Sequence, residues 1–161
     1  MKRRLIAVLC AAVLVLGMMT GCSGSAKSFS KAGMTITLSD AFMESDMESM
    51  TAYYESRTSA VTVLKEDFST IESVGLSTDM SLQEYAQLVV EGNGLDCQVS
   101  EEDGLVYFLY EDTVDGTDFS YWATVYRSSD AYWLVHFLCE SKNYEKLLPD
   151  FKTWAKSVKF D

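Results

Sequence analysis

The chain is short of histidine, proline and positive charge, and each shortage excludes something. His136 is the single histidine, which removes serine-hydrolase triads and zinc sites that call for a second imidazole beside it. No Gly-x-Ser-x-Gly elbow and no glycine loop of the phosphate-cradling kind occurs, so acyl-transfer and nucleotide motifs are missing as well. Lysine and arginine number 13 against 24 aspartate and glutamate. A surface of that sign repels phosphate backbones, and nucleic acid is not an expected partner. Hydrophobic residues make up 48% and aromatics 12%, enough apolar surface to offset chain entropy, so disorder is excluded too.

Three of the 13 basic residues open the chain: Met1-Lys2-Arg3-Arg4, then an apolar stretch from Leu5 to Leu16, then Gly17-Met18-Met19-Thr20-Gly21-Cys22. A charged start, a short apolar run and small residues form a secretory signal, and the run falls short of the ~20 residues a spanning helix needs. Cys22 directly after Gly21 resembles the bacterial lipobox, with Met19 in place of the usual leucine. That resemblance implies acylation of Cys22 by palmitate-class chains and cleavage ahead of it. The expected division is a signal peptide over 1–21, a flexible tether over 22–28 and one globular domain over 29–161. Without Lys2, Arg3 and Arg4 the count becomes 10 basic against 24 acidic residues, a net charge of −14. The expected location is the extracytoplasmic face of the cell membrane, with the lipid bilayer as partner through Cys22. Seven tether residues reach only ~25 Å even when extended, which keeps the domain close to the bilayer.

Four cysteines occur; with Cys10 in the leader and Cys22 lipidated, Cys97 and Cys139 remain. Outside the cytoplasm they are candidates for a disulfide, or stand as two separate thiols; pairing requires Cα atoms within ~7 Å.

Met34-Thr35-Ile36-Thr37-Leu38 alternates with the period of a half-buried strand. Residues 51–55 and 60–65 read as a hairpin, and 67–75 as a short helix closed by Gly75. Ser81 and Glu84 form a capping box ahead of the apolar stripe Leu82, Tyr85, Ala86, Leu88, Val89 and Val90. From Leu95 the pattern is a meander punctuated by Asp103-Gly104, Asp115-Gly116 and Ser128-Ser129-Asp130, the first two being strong hairpin signals. Residues 105–111 and 131–139 are apolar on both faces, which demands a cover on each side of their sheet. The C-terminal stripe Tyr144, Leu147, Leu148, Phe151, Trp154, Ala155 and Val158 supplies one cover, with a break or kink expected at Pro149.

Element order and the stretches Gly33-Met34-Thr35-Ile36-Thr37-Leu38, Ser81-Leu82-Gln83-Glu84-Tyr85-Ala86 and Asp130-Ala131-Tyr132-Trp133-Leu134-Val135 resemble small bacterial lipoproteins with a PsbP-like domain, over roughly residues 29–160. The resemblance implies an α+β fold, an α/β/α sandwich around a mostly antiparallel sheet. It also implies action by binding or scaffolding rather than catalysis, on an envelope protein or small ligand, and no cofactor.

Residue chemistry nominates several surfaces. Tyr53, Tyr107, Tyr121, Trp122 and Trp133 are candidates for an aromatic groove, with core packing as the competing explanation. Lys142, Lys146, Lys152, Lys156 and Lys159 fall opposite the C-terminal apolar stripe and form a candidate membrane-facing side. Glu111, Asp112, Asp115 and Asp118 crowd one turn, without the Asp-x-Asp-x-Asp-Gly spacing of a calcium loop. An enzyme or accessory subunit would have to use such carboxylates or His136, which the pattern sets mid-strand between Leu134 and Leu138.

Overall fold

The computed structural model describes residues 25–161, so the expected leader and Cys22 lie outside the described residues. The order is β1 (Ala26–Lys31), β2 (Met34–Ser39), β3 (Met43–Ser45), β4 (Ala52–Glu55), β5 (Ala60–Asp67), α1 (Phe68–Ser73) and α2 (Leu82–Asn93). It continues with β6 (Ser100–Glu102), β7 (Leu105–Val114), β8 (Thr117–Arg127), β9 (Ala131–Glu140), α3 (Tyr144–Lys156) and β10 (Lys159–Phe160).

A seven-stranded antiparallel sheet, ordered β3-β4-β5-β9-β8-β7-β6, forms the centre. Its turns follow from residue type. Asp103-Gly104 and Asp115-Gly116 have φ of 53° and 77°, and of 49° and 80°, the doubly positive geometry of a type I′ turn, whose twist matches the strands it joins.

Both faces are covered, as the two-sided apolar strands require. Trp133, Val135, Phe137 and Cys139 of β9 point to one core with Trp122, Phe151 and Ala155. Tyr132, Leu134 and Leu138 point to the other, with Tyr85, Ala86 and Val90 of α2. The capping box of α2 is formed, with the Glu84 amide donating to Ser81 Oγ at 3.2 Å and the Ser81 amide to Glu84 Oε2 at 2.8 Å.

Four expectations need correction. Ala26, Lys27 and Ser28 are not tether: they pair with Ser39, Leu38 and Thr37, so the domain begins at residue 26. The hairpin turns through Ala32-Gly33, whose alanine takes a left-handed φ of 53° that residue type does not advertise. Second, β1, β2 and β10 form a separate three-stranded sheet, so the outer layer beside α3 is partly β. Third, α3 runs through Pro149 without a break; the Pro149 carbonyl still accepts from Thr153 Oγ1 at 2.9 Å. Fourth, residues 95–99 keep the alternating burial of a strand but make no ladder. Leu95, Cys97 and Val99 pack against the α2 core, which satisfies the apolar pattern without a neighbouring strand.

Candidate ligand cleft

The nominated aromatics do not form a groove. Tyr53 and Tyr121 are buried in the α2 core and Trp122 and Trp133 in the α3 core, where half-buried Tyr107 packs beside them. They are divided between opposite faces of the sheet, and their apolar area holds the two layers on it.

Cys97 and Cys139 are free thiols and not a disulfide. Cys97 packs into the α2 core and Cys139 into the α3 core, so the sheet lies between them. Burial raises both thiols, Cys139 to about 12.

His136 is half-buried, its Nδ1 3.2 Å from Thr62 Oγ1 and its ring edge-on to Tyr110 and Tyr121 at 5.9 and 6.4 Å. Burial lowers its pKa to about 4. A neutral imidazole held by a threonine, with no carboxylate partner, is arranged for packing rather than for proton transfer.

The acidic turn is exposed and internally bonded: Thr113 Oγ1 donates to Asp118 Oδ1 at 2.6 Å and Ser120 Oγ to Glu111 Oε1 at 3.1 Å. Among the described residues no group of three or more His, Cys, Asp or Glu could hold a metal ion. Ser28-Phe29-Ser30-Lys31 has the Ser-x-x-Lys spacing of some acyl-enzymes, which sequence reasoning passed over. On β1 the pair is separated, Ser28 bonding Thr37 and Lys31 bonding Glu44.

The five lysines are not one free face. Lys152 meets Glu102 at 2.5 Å and Lys156 meets Asp103 at 2.7 Å, tying α3 to the β6–β7 turn, and Lys142 pairs with Glu140. These partners raise Lys152 and lower Asp103. Lys159 lies past the helix end, in β10. The expected face breaks down because α3 stops at Lys156 and because acidic residues remote in sequence fold beside it.

Lys146 is placed differently. It lines a cleft of about 1080 Å³ between the β2–β3 link, the β4–β5 turn and α3. Leu38, Phe42, Leu147 and Trp154 give the apolar lining, while Ser25, Ser39, Thr58 and Asn143 are among the polar residues. Its walls are held firmly. The Thr37 amide donates to Ser157 Oγ at 2.9 Å, and Ser157 Oγ donates to Trp154 O at 2.6 Å, pinning the end of α3 to β2. Phe42 meets Trp154 edge-on at 5.0 Å. The Ser56 amide donates to Ser59 O at 2.9 Å across the β4–β5 turn, and the Asp40 amide donates to Ser25 O at 2.7 Å. The chain therefore enters the fold at the cleft rim.

Arg57, Lys146, Asp40 and Asp150 also line this cleft. Among the described residues none of the four side chains has an ion-pair or hydrogen-bond partner, whereas Lys31, Lys65, Lys142, Lys152 and Lys156 are all ion-paired. Only Lys146 of these four was nominated from sequence. Asp150 lies one helical turn from Lys146 on α3, but Asp40 and Arg57 sit in two other segments that nothing local marks as neighbours.

No family profile matches the chain, and no curated protein matches it in sequence. Solved structures do. Cyanobacterial PsbP (CyanoP) from Synechocystis is similar over 91% of this chain and 99% of its own, at 15% identity and a TM-score of 0.55. The fold is PsbP-like. The Saccharomyces cerevisiae Ran-binding protein Mog1p shares this PsbP-like architecture over 86% of this chain and 96% of its own, at 8% identity and a TM-score of 0.58. LpqN, involved in cell envelope biogenesis of Mycobacterium tuberculosis, matches 84% of this chain and 90% of its own at 8% identity and a TM-score of 0.50. At such identities the likeness establishes the fold alone.

Proposed function

We propose that the protein is a lipid-anchored, extracytoplasmic binding module, tethered through Cys22, whose ligand sits in the cleft beside Ser25. The observation carrying this reading is the cleft itself: a concave, partly apolar surface with rigid walls and four charged side chains that lack partners among the described residues. Ligand sites combine an apolar lining with a few placed polar groups in this way. No helix among the described residues is long and apolar enough to cross a membrane, which fits attachment by an acyl chain at Cys22. Two fold neighbours support the class of activity, since Mog1p is a Ran-binding protein and LpqN acts in envelope biogenesis. The catalytic alternative loses its groups: His136 is engaged by packing, and the carboxylates of the β7–β8 turn are solvated.

Two measurements test the reading. Labelling with an alkyne fatty acid should tag the wild-type chain and not Cys22→Ala; label on the variant would refute the anchor. Arg57→Glu with Lys146→Glu should abolish binding of a ligand found by screening envelope fractions, with the melting temperature unchanged. Binding that survives the double substitution would remove the cleft from the function.

A further inference from the structure

We infer that the cleft takes the zwitterionic headgroup of an aminophospholipid, phosphate and ammonium together, from the leaflet in which the protein is anchored. This rests on the cleft being the binding site and Cys22 the anchor.

The charges lead to it. Of the ten cations among the described residues, seven are engaged. Five are ion-paired, Lys27 lies over Phe29 at 4.5 Å, and Arg127 stacks on Phe68 at 4.8 Å and donates to Thr78 O. Among the described residues Arg57, Lys146 and Lys159 are left without a partner. The first two line the same cleft, Arg57 on the β4–β5 turn and Lys146 on α3. An anion alone would meet them and also Asp40 and Asp150, which line the cleft too. Lys146 and Asp150 are four residues apart on α3, one helical turn, so the helix presents both signs on one side. A ligand carrying a phosphate and a primary ammonium a short chain apart satisfies all four. The guanidinium and lysine suit the phosphate oxygens and the carboxylates suit the N–H donors.

Position selects a lipid over a soluble zwitterion. Strand β1 starts at Ala26, and Ser25 is held at the rim by the Asp40 amide. From Cys22 to Ser25 the chain can reach at most about 10 Å, and the headgroup layer is itself about 5–8 Å deep on each side of the bilayer. An anchor at Cys22 therefore keeps the rim within reach of the headgroups. Trp154 suits that depth: it is half-buried, lines the cleft, and its indole N–H makes no hydrogen bond within the described chain, the amphipathic character that places tryptophan at membrane interfaces. Anchoring also makes a weak site sufficient, because a short linker gives an effective concentration of about mM.

The test uses the full chain in phosphatidylcholine nanodiscs, with and without phosphatidylethanolamine, and reads amide hydrogen exchange in residues 40–42, 56–59 and 143–157. Phosphatidylcholine is the reference because its quaternary ammonium cannot donate to Asp40 or Asp150. Phosphatidylethanolamine should slow exchange there about twofold at half occupancy and about tenfold at nine-tenths. Arg57→Ala with Lys146→Ala should erase the difference while melting like wild type, since neither side chain has a partner among the described residues. Equal slowing by phosphatidylglycerol would overturn the zwitterion assignment in favour of a simple anion site. Slowing of the same segments by a zwitterionic envelope peptide and not by the lipid would overturn the lipid source and leave the cleft as a binding site. No slowing by lipid, peptide or envelope fraction would overturn both readings.

Discussion

Acidification should destabilise this domain more than its carboxylates alone require, and His136→Gln should remove the surplus. The native imidazole sits between Tyr110 and Tyr121, hydrogen-bonded to Thr62, and burial lowers its pKa to about 4. In the unfolded chain it titrates near 6.5. Between those two values the unfolded state binds the extra proton, so stability falls as pH falls through that window and is fully present above it. At about pH 5 the difference amounts to roughly 2 kcal/mol, and below pH 4 it approaches roughly 3 kcal/mol. For a domain of this size that corresponds to a melting temperature lower by roughly 8 °C at pH 5. The assay is urea unfolding of wild type and His136→Gln at about pH 7.5 and pH 5. The glutamine amide can keep the Thr62 bond and cannot titrate, so the two proteins share every other acid-sensitive group. Wild type should lose about 2 kcal/mol more than the variant across the interval. Parallel losses would refute the reasoning, because an imidazole with an ordinary pKa is solvated and therefore free for chemistry.

Trp122→Ala should cost about 3–5 kcal/mol in denaturant unfolding, because the indole is 1% exposed between Tyr107 and Phe137; an unchanged midpoint would contradict its burial. Alkylation without reductant should modify Cys97 slowly in the native protein and Cys139 only after unfolding; a chain that stays unmodified until reduced would show a disulfide instead. Lys152→Glu with Lys156→Glu should lower stability at low salt and much less at high salt, through repulsion from Glu102 and Asp103; salt-independent loss would point to lost packing. Ser81→Ala should cost about 1 kcal/mol by removing the oxygen that caps α2, and retention of full stability would mean that water replaces it.

Local rules carried much of the fold. The capping box at Ser81 and Glu84 and the Asp-Gly turns at 103–104 and 115–116 were legible because each depends on residues within four positions of one another. The two-sided apolar character of β7 and β9 was enough to demand a layer on each face. What failed was non-local. The alternation at Leu95, Cys97 and Val99 reports burial on one side, which a packed extended segment satisfies as well as a paired strand. Strand β1 escaped notice because its turn uses Ala32, and β10 because two residues are too few to show a period.

The candidate site divides the same way. The acidic balance, and the expectation of a leader ending ahead of the lipobox-like Cys22, could be read from sequence alone, because both are properties of composition or of adjacent residues. Sequence also nominated five aromatics whose apolar character is equally that of a core, and residue type cannot say which side of a sheet faces water. Only the tertiary structure decided that four of those aromatics are buried and Tyr107 half-buried, that Cys97 and Cys139 lie on opposite faces, and that Lys152 and Lys156 are neutralised by a turn about fifty residues earlier. The cleft belongs wholly to that second category. Asp40, Arg57, Lys146 and Asp150 are spread over 110 residues of chain, and it is the packing of α3 against β2, with the β4–β5 turn beside it, that brings their charges to one place.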